Sequence, residues 1–136
     1  MTQILLIEDD AANVEFFTDV LEGAGYAVMV ERDGLSGRDR ALLTPVDLII
    51  LDIQLPRLRG DDVCRALRAH GIVTPIIALS ADALPHQIEA GMTAGFDRYL
   101  TKPITPSALR DAVAGFISAS VPNDDEDLAT PSLGIA

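Results

Sequence analysis

The chain has 136 residues, enough for one domain with a single sizeable core and a short tail. Nearly half of the residues are hydrophobic and only 4% are aromatic, so the core must be built from Ile, Leu, Val and Ala. A net charge of -11 argues against direct nucleic-acid binding, the lone Cys64 excludes an internal disulfide, and no apolar run is long enough for a membrane span. With no basic, then apolar leader visible, a cytoplasmic protein in a reducing compartment is expected.

Taken in chain order, the first element is the apolar run Ile4–Ile7, which ends in the acidic cluster Glu8-Asp9-Asp10. Val14, Phe17, Leu21 and Ala24 then recur at helical spacing, stopped by Gly25. Ala27–Val30 is a second short run. Gly37, Ala41 and Leu42 suggest a helix ended by Thr44-Pro45. The run from Val46 to Leu51 reads as a buried strand, and Asp52 ends it, followed by Ile53-Gln54-Leu55-Pro56 and Gly60. Val63, Leu67 and His70 mark a third helix before Gly71, and Ile76–Leu79 a fourth strand. Ile88, Met92 and Gly95 mark a fourth helix. Arg98–Leu100 is the last strand, followed by Lys102-Pro103. Leu109, Val113, Phe116 and Ile117 give a fifth helix, opened by Thr105 as cap and Pro106 in the first turn.

Most of the strands lack polar alternation, as strands buried on both faces do, and they alternate strictly with helices. The expected fold is therefore α/β, a doubly wound parallel sheet of five strands with helices on both faces. The domain is expected to span residues 1–120. Residues 121–136, with Asp124-Asp125-Glu126-Asp127 and only Leu128, Leu133 and Ile135 as scattered apolar residues, read as an acidic, solvated, flexible tail.

In an open parallel sheet, ligands bind beyond the carboxyl ends of the strands. Glu8, Asp9 and Asp52 fall there. Clustered carboxylates repel one another unless protonated or bridged by a cation, and a hard, oxygen-liganded ion such as Mg²⁺ (or Mn²⁺) relieves that repulsion. Lys102 is the only lysine, since the other nine basic residues are Arg. Its compact ammonium on a flexible stem suits a phosphoryl oxygen that moves during a reaction. Acid, acid and lysine at three strand ends point to a metal-assisted phosphoryl-accepting site.

Four stretches in order carry a resemblance. They are Ile4-Leu5-Leu6-Ile7-Glu8-Asp9-Asp10, Asp47 to Pro56 with Gly60, Pro75-Ile76-Ile77-Ala78-Leu79-Ser80-Ala81, and Ala94-Gly95-Phe96-Asp97-Arg98-Tyr99-Leu100-Thr101-Lys102-Pro103. Over about residues 3–118 the chain resembles the receiver domains of two-component response regulators. The resemblance implies a flavodoxin-like (βα)5 domain with strand order 2-1-3-4-5. It implies that Asp52 accepts a phosphoryl group from a phosphohistidine on a histidine kinase or histidine phosphotransfer protein. Asp9 then matches the direct metal ligand, Glu8 its neighbour acting often through water, and Gln54 the position whose main-chain carbonyl completes the metal shell. Ser80 matches the hydroxyl that bonds the phosphoryl group, Lys102 the lysine that pairs with it, and Tyr99 the aromatic switch. The Lys102–Pro103 bond is usually cis in this family. Gln54 and Asp82 occupy positions that tune phosphoryl lifetime. Asp10 lies one place beyond the acidic pair and ranks lower. The same site resembles a slow self-phosphatase rather than an enzyme acting on a separate substrate.

Other residues carry less. His70 and His86 read as surface residues near helix ends and Cys64 as an inert core or half-buried thiol. Asn13 reads as local structure at the start of the first helix. Phe16 and Phe17 cannot share one helix face, so one is core and the other peripheral core or a docking patch. Three readings compete. The first, favoured by the initiating methionine and the acidic tail, is a stand-alone phosphoacceptor that switches contacts with a downstream protein target. The second is a receiver module from a hybrid histidine kinase or other multidomain regulator. The third, a small-molecule phosphohydrolase of the haloacid-dehalogenase type, needs a second Asp two residues after the nucleophile, where this chain has Gln54. No glycine-rich phosphate loop follows the first strand.

Overall fold

The computed structural model describes residues 1–81 and 85–120, the latter without the side chains of 85–87, 90, 91 and 118–120. Expectations that concern Asp82, the His86 side chain and the segment 121–136 lie outside the described residues. Five β-strands and five α-helices alternate: β1 Gln3–Ile7, α1 Ala11–Gly23, β2 Ala27–Glu31, α2 Gly34–Leu43, β3 Leu48–Asp52, α3 Gly60–Ala69, β4 Ile76–Ser80, α4 Pro85–Ala94, β5 Arg98–Thr101 and α5 Pro106–Ser120. All pairings are parallel, in the order β2-β1-β3-β4-β5. The expected fold class and strand order are both found.

Each side of the sheet has its own core, because successive residues of a strand point to opposite faces. Leu5, Ile7, Ile49, Leu51, Ile76 and Ala78 face α2 and α3 and pack with Ala41, Val63, Cys64, Leu67 and Phe96. Ile4, Leu6, Leu48, Ile50, Ile77 and Leu79 face α1 and α5 and pack with Phe17, Leu21, Leu109, Val113 and Ile117. Burial on both faces holds for the inner strands: β3 and β4 are buried throughout, and β1 from its second residue on. In the edge strands every described residue is half-buried or exposed, since each has a single neighbour.

Three local expectations need correction. The third strand begins at Leu48, so of the run from Val46 only the part from Leu48 on is strand; Asp47, just ahead of it, is tied to β1 by its N–H on the Gln3 carbonyl and by its carboxylate on the Gln3 N–H, both at 2.8 Å. Ala24 is the exposed C-cap of α1 rather than part of its buried stripe. Met92 is 45% exposed, while Ala94, near the end of the same helix, is buried. Gly25 and Gly71, at φ 96° and 80°, follow α1 and α3 where the stops were expected.

Candidate functional site

Parallel strands put all their carboxyl ends on one edge of the sheet, and main-chain pairing persists just beyond them. Glu8 N–H donates to the Glu31 carbonyl at 3.0 Å, Ile53 N–H to Leu79 at 3.0 Å, and Lys102 N–H to Ser80 at 2.8 Å. These bonds set where the side chains of Glu8, Asp52 and Lys102 start, and the three converge. Lys102 Nζ donates to Asp52 Oδ2 at 2.7 Å and to Glu8 Oε1 at 3.2 Å. The second oxygen of Asp52, Oδ1, accepts the Gln54 main-chain N–H at 2.9 Å. Glu8 Oε2 accepts the Asp10 N–H at 3.2 Å. One carboxylate oxygen each from Glu8, Asp9 and Asp52 lies within 4.8 Å of the others.

Burial sets the electrostatics. Glu8 is fully buried and Asp52 is 6% exposed, whereas Asp9 is exposed. Burial raises the Glu8 carboxyl above its ordinary value, and the Asp52 charge adds to this. The Asp10 amide and Lys102 only partly offset the rise. For Lys102, burial acts to lower the ammonium, but the bond to Asp52 and the charges of Asp52 and Glu8 outweigh it and raise it. One ammonium facing three carboxylates leaves an excess of negative charge and an all-oxygen donor set. That chemistry fits a hard divalent cation such as Mg²⁺, held by Glu8, Asp9 and Asp52.

The loop after β3 is shaped by close backbone approach. A Cβ on Gly60 would collide with the Asp52 carbonyl oxygen, and one on Gly34 with the Leu58 carbonyl, so only glycine fits at either place. Gly60 N–H donates to Ile53 and Gly34 N–H to Pro56, which tie the loop to the sheet and to α2. Gln54 is exposed within this loop. Ser80, at the end of β4, is buried at 2% exposure. Tyr99 is half-buried and packs on the core beneath α2 and α3. The Lys102–Pro103 bond is cis. Beside Lys102 opens a cleft of about 470 Å³ lined by Asn13, Phe16, Phe17, Ala81, Lys102, Pro103 and Ile104.

Asp10 has a clear local role: its carboxylate caps α1 by accepting the Ala12 N–H at 3.0 Å. An Asp just ahead of a helical stripe was a cap signal. The Arg32 guanidinium, bonded to the Asp9 carbonyl at 2.9 Å, was not anticipated, and a contact between residues 23 apart leaves no local signal. Nor was Arg68, whose guanidinium donates to the carbonyls of Gly95, Ile72 and Thr74 and to the Asp97 carboxylate, tying α3 to the approaches of β4 and β5. Cys64 is fully buried and its thiol is pushed up to about 11 by burial, which keeps it unreactive. His70 is exposed, its Nδ1 2.8 Å from the Ala66 carbonyl. Phe17 is core and Phe16 half-buried, their rings edge to face at 5.3 Å.

Comparison with known proteins agrees with this geometry. The chain is 40% identical to the response regulator ArlR of Staphylococcus epidermidis over 103 residues, 76% of this chain and 47% of that protein. It is 38% identical to the DNA-binding response regulator MtrA of Mycobacterium leprae over 124 residues, 91% of this chain and 53% of that one. The chain thus spans about half the length of the curated relatives it matches. Among solved structures, it superimposes on the receiver domain of the sensor histidine kinase PA1611 from Pseudomonas aeruginosa with a TM-score of 0.80 and 34% identity, covering 86% of this chain and 98% of that one. That structure holds a magnesium ion in its active-site cleft. Among the described residues no helix is long and apolar enough to cross a membrane. The model of the response regulator receiver domain matches residues 4–114, and with it the chain belongs to the receiver family, the phosphoacceptor signalling domains of two-component systems.

Proposed function

We propose that Asp52 is the phosphoacceptor of this receiver and that its phosphorylation switches protein–protein contacts. The observation that carries the reading is the Asp52 carboxylate, held 2.7 Å from Lys102 Nζ inside an acidic cluster at the carboxyl edge of the sheet. A carboxylate oxygen of Asp52 attacks the phosphorus of a phosphohistidine. The new P–O bond forms as the P–N bond breaks, and the departing electron pair returns to the imidazole, which is protonated from solvent. Lys102 follows the transferred oxygens as a point charge. Ser80, buried at the end of β4, supplies a hydroxyl to the phosphoryl group, and Tyr99 follows its movement. Glu8, Asp9, Asp52 and the Gln54 carbonyl would hold a divalent cation, which when bound would supply positive charge against the dianionic phosphoryl group. The work of the chain is thus positioning and charge compensation. The same geometry supports slow hydrolysis of the acyl phosphate.

The donor is a histidine kinase or histidine phosphotransfer protein. The cleft beside Lys102, with half-buried Phe16 on its wall, supports docking of that partner next to Asp52. Output through a downstream protein rather than nucleic acid rests on the acidic charge of the chain. A second reading, a receiver acting within a hybrid kinase, draws on the likeness to the PA1611 receiver.

The test uses a small acyl-phosphate donor with Mg²⁺. One phosphoryl group should be added and map to Asp52, Asp52→Asn should fold without taking label, and EDTA should abolish labelling. Label mapped to any other residue, or a rate indifferent to EDTA, would overturn the reading.

A further inference from the structure

The three carboxylates of the cluster are not held equally. Glu8 is buried and tied at both oxygens, to Lys102 and to the Asp10 amide, and Asp52 is tied to Lys102 and Gln54 N–H. Asp9 is the exposed member, on the turn between β1 and α1. That turn is anchored on either side of Asp9: Glu8 N–H donates to Glu31, and Asp10 is pinned by its cap on Ala12 and by Val14 N–H on its carbonyl. Between these anchors, the Asp9 carbonyl accepts a 2.9 Å bond from Arg32 Nη2. Arg32 is the first residue beyond β2, and the register Ile7↔Glu31 delivers it beside the turn.

We propose that Arg32 is a positioning residue that holds the main chain of Asp9 so that its carboxylate stays turned into the metal site. The inference rests on the reading that Asp9 ligates a divalent cation. Two effects of the guanidinium oppose one another. Its charge repels a cation bound nearby, which would weaken metal binding. Its bond restrains the turn, which strengthens binding because less conformational freedom is lost when the ion arrives. The repulsion acts between exposed charges and weakens as added salt shortens the Debye length, from about 8 Å at physiological salt to about 3 Å at 1 M, whereas the 2.9 Å bond is a contact with a neutral carbonyl and depends far less on salt. The restraint therefore gains on the repulsion as salt rises and, as proposed, already prevails at low salt.

The two effects predict opposite signs, so one substitution separates them. Arg32→Met removes both donor and charge; Arg32→Lys keeps a donor and the charge. Mg²⁺ alone is titrated into the full chain, unphosphorylated, at low and high salt, and followed by amide chemical shifts. Thermal unfolding in EDTA runs alongside. The expected result is that R32M unfolds within a few degrees of the parent yet binds Mg²⁺ about three- to tenfold more weakly at both salt levels, the range a modest hydrogen bond supplies. R32K recovers most of the affinity. Equal or tighter binding by R32M, with the tightening fading at high salt, overturns the proposal and leaves charge repulsion as the role of Arg32. An R32K no better than R32M overturns the donor role as well. If the parent chain itself shows no Mg²⁺-dependent shifts around Glu8, Asp9 and Asp52, the metal reading fails and takes this inference with it.

Discussion

At Lys102 one ammonium serves two carboxylates, and its geometry explains why a lysine rather than one of the nine arginines stands there. Its Nζ lies 2.7 Å from Asp52 and 3.2 Å from Glu8, with only 20% of the side chain exposed. A guanidinium is larger and planar, and presents its donors in a fixed fork, so it cannot swing from carboxylate to phosphoryl oxygen as a compact ammonium does. Lys102→Arg is therefore expected to keep its unfolding midpoint within a few degrees while phosphotransfer or switching falls about tenfold or more, a change of about 1.4 kcal/mol in the barrier. Wild-type rates in a phosphotransfer assay would show that any cation suffices at this position. Glu8 illustrates a different balance. It is buried at a cost that Lys102 only partly relieves, and its raised carboxyl records that residual cost. Such a cost is what a site retains when its charges serve a ligand rather than the fold.

The start of α2 and one face of α1 do separable work. Asp33 caps α2: its Oδ1 accepts the Ser36 N–H at 2.8 Å and its Oδ2 the Ser36 hydroxyl at 3.0 Å. The bond from the Ser36 main chain, ahead of other influences, holds the Asp33 carboxyl below its ordinary 3.8. A carboxyl lowered in the folded state contributes stability that is full above the unfolded value and lost as pH falls through the folded one. Asp33→Ala should thus be less stable than the parent at pH 7, and the gap should narrow as pH drops below about 3.8. Asp33→Asn, which retains a cap acceptor, should sit between them at pH 7. Thermal melts across pH check this, and a gap independent of pH would mean that the carboxylate charge is irrelevant to the cap. Midway along α1, Phe16 borders the cleft beside Lys102 without belonging to the fully buried core. Removing a half-buried aromatic from a docking surface costs over 1 kcal/mol when it anchors a partner. Phe16→Ala should slow transfer from a protein donor about fivefold or more, while labelling by a small acyl phosphate stays near wild type. Equal slowing with both donors would place its role inside the domain instead.

For the whole molecule, the two cores of the domain proposed for residues 1–120 are built from the strands with α1, α2, α3 and α5. Leu109, Val113 and Ile117 of α5 already cover the sheet face beneath α1 and α5. Removal of residues 121–136, which hold four consecutive acids, should leave the rate and extent of Asp52 labelling within about twofold, because a segment with so few apolar residues adds little to a packed core. A larger drop, measured with the small donor, would move the domain boundary. By itself the sequence determined the alternation of elements, the class of sheet and the grouping of Glu8, Asp9, Asp52 and Lys102. Each of these is written in short-range pattern: apolar runs of strand length, helical stripes, glycine stops and acids at strand ends. The same local signals placed Phe17 in the core and Gly25 and Gly71 beyond helix ends. They could not show that Asp47 is tied through both its N–H and its carboxylate to Gln3, 44 positions away. They could not show Arg32 on Asp9 or Arg68 on Gly95 and Asp97. Nor could they reveal that Glu8 is buried and shares an ammonium with Asp52 while Asp9 stays exposed. Those facts depend on which strands become neighbours and how far each loop is drawn over the sheet edge, and only the packed chain sets distances between residues far apart in sequence.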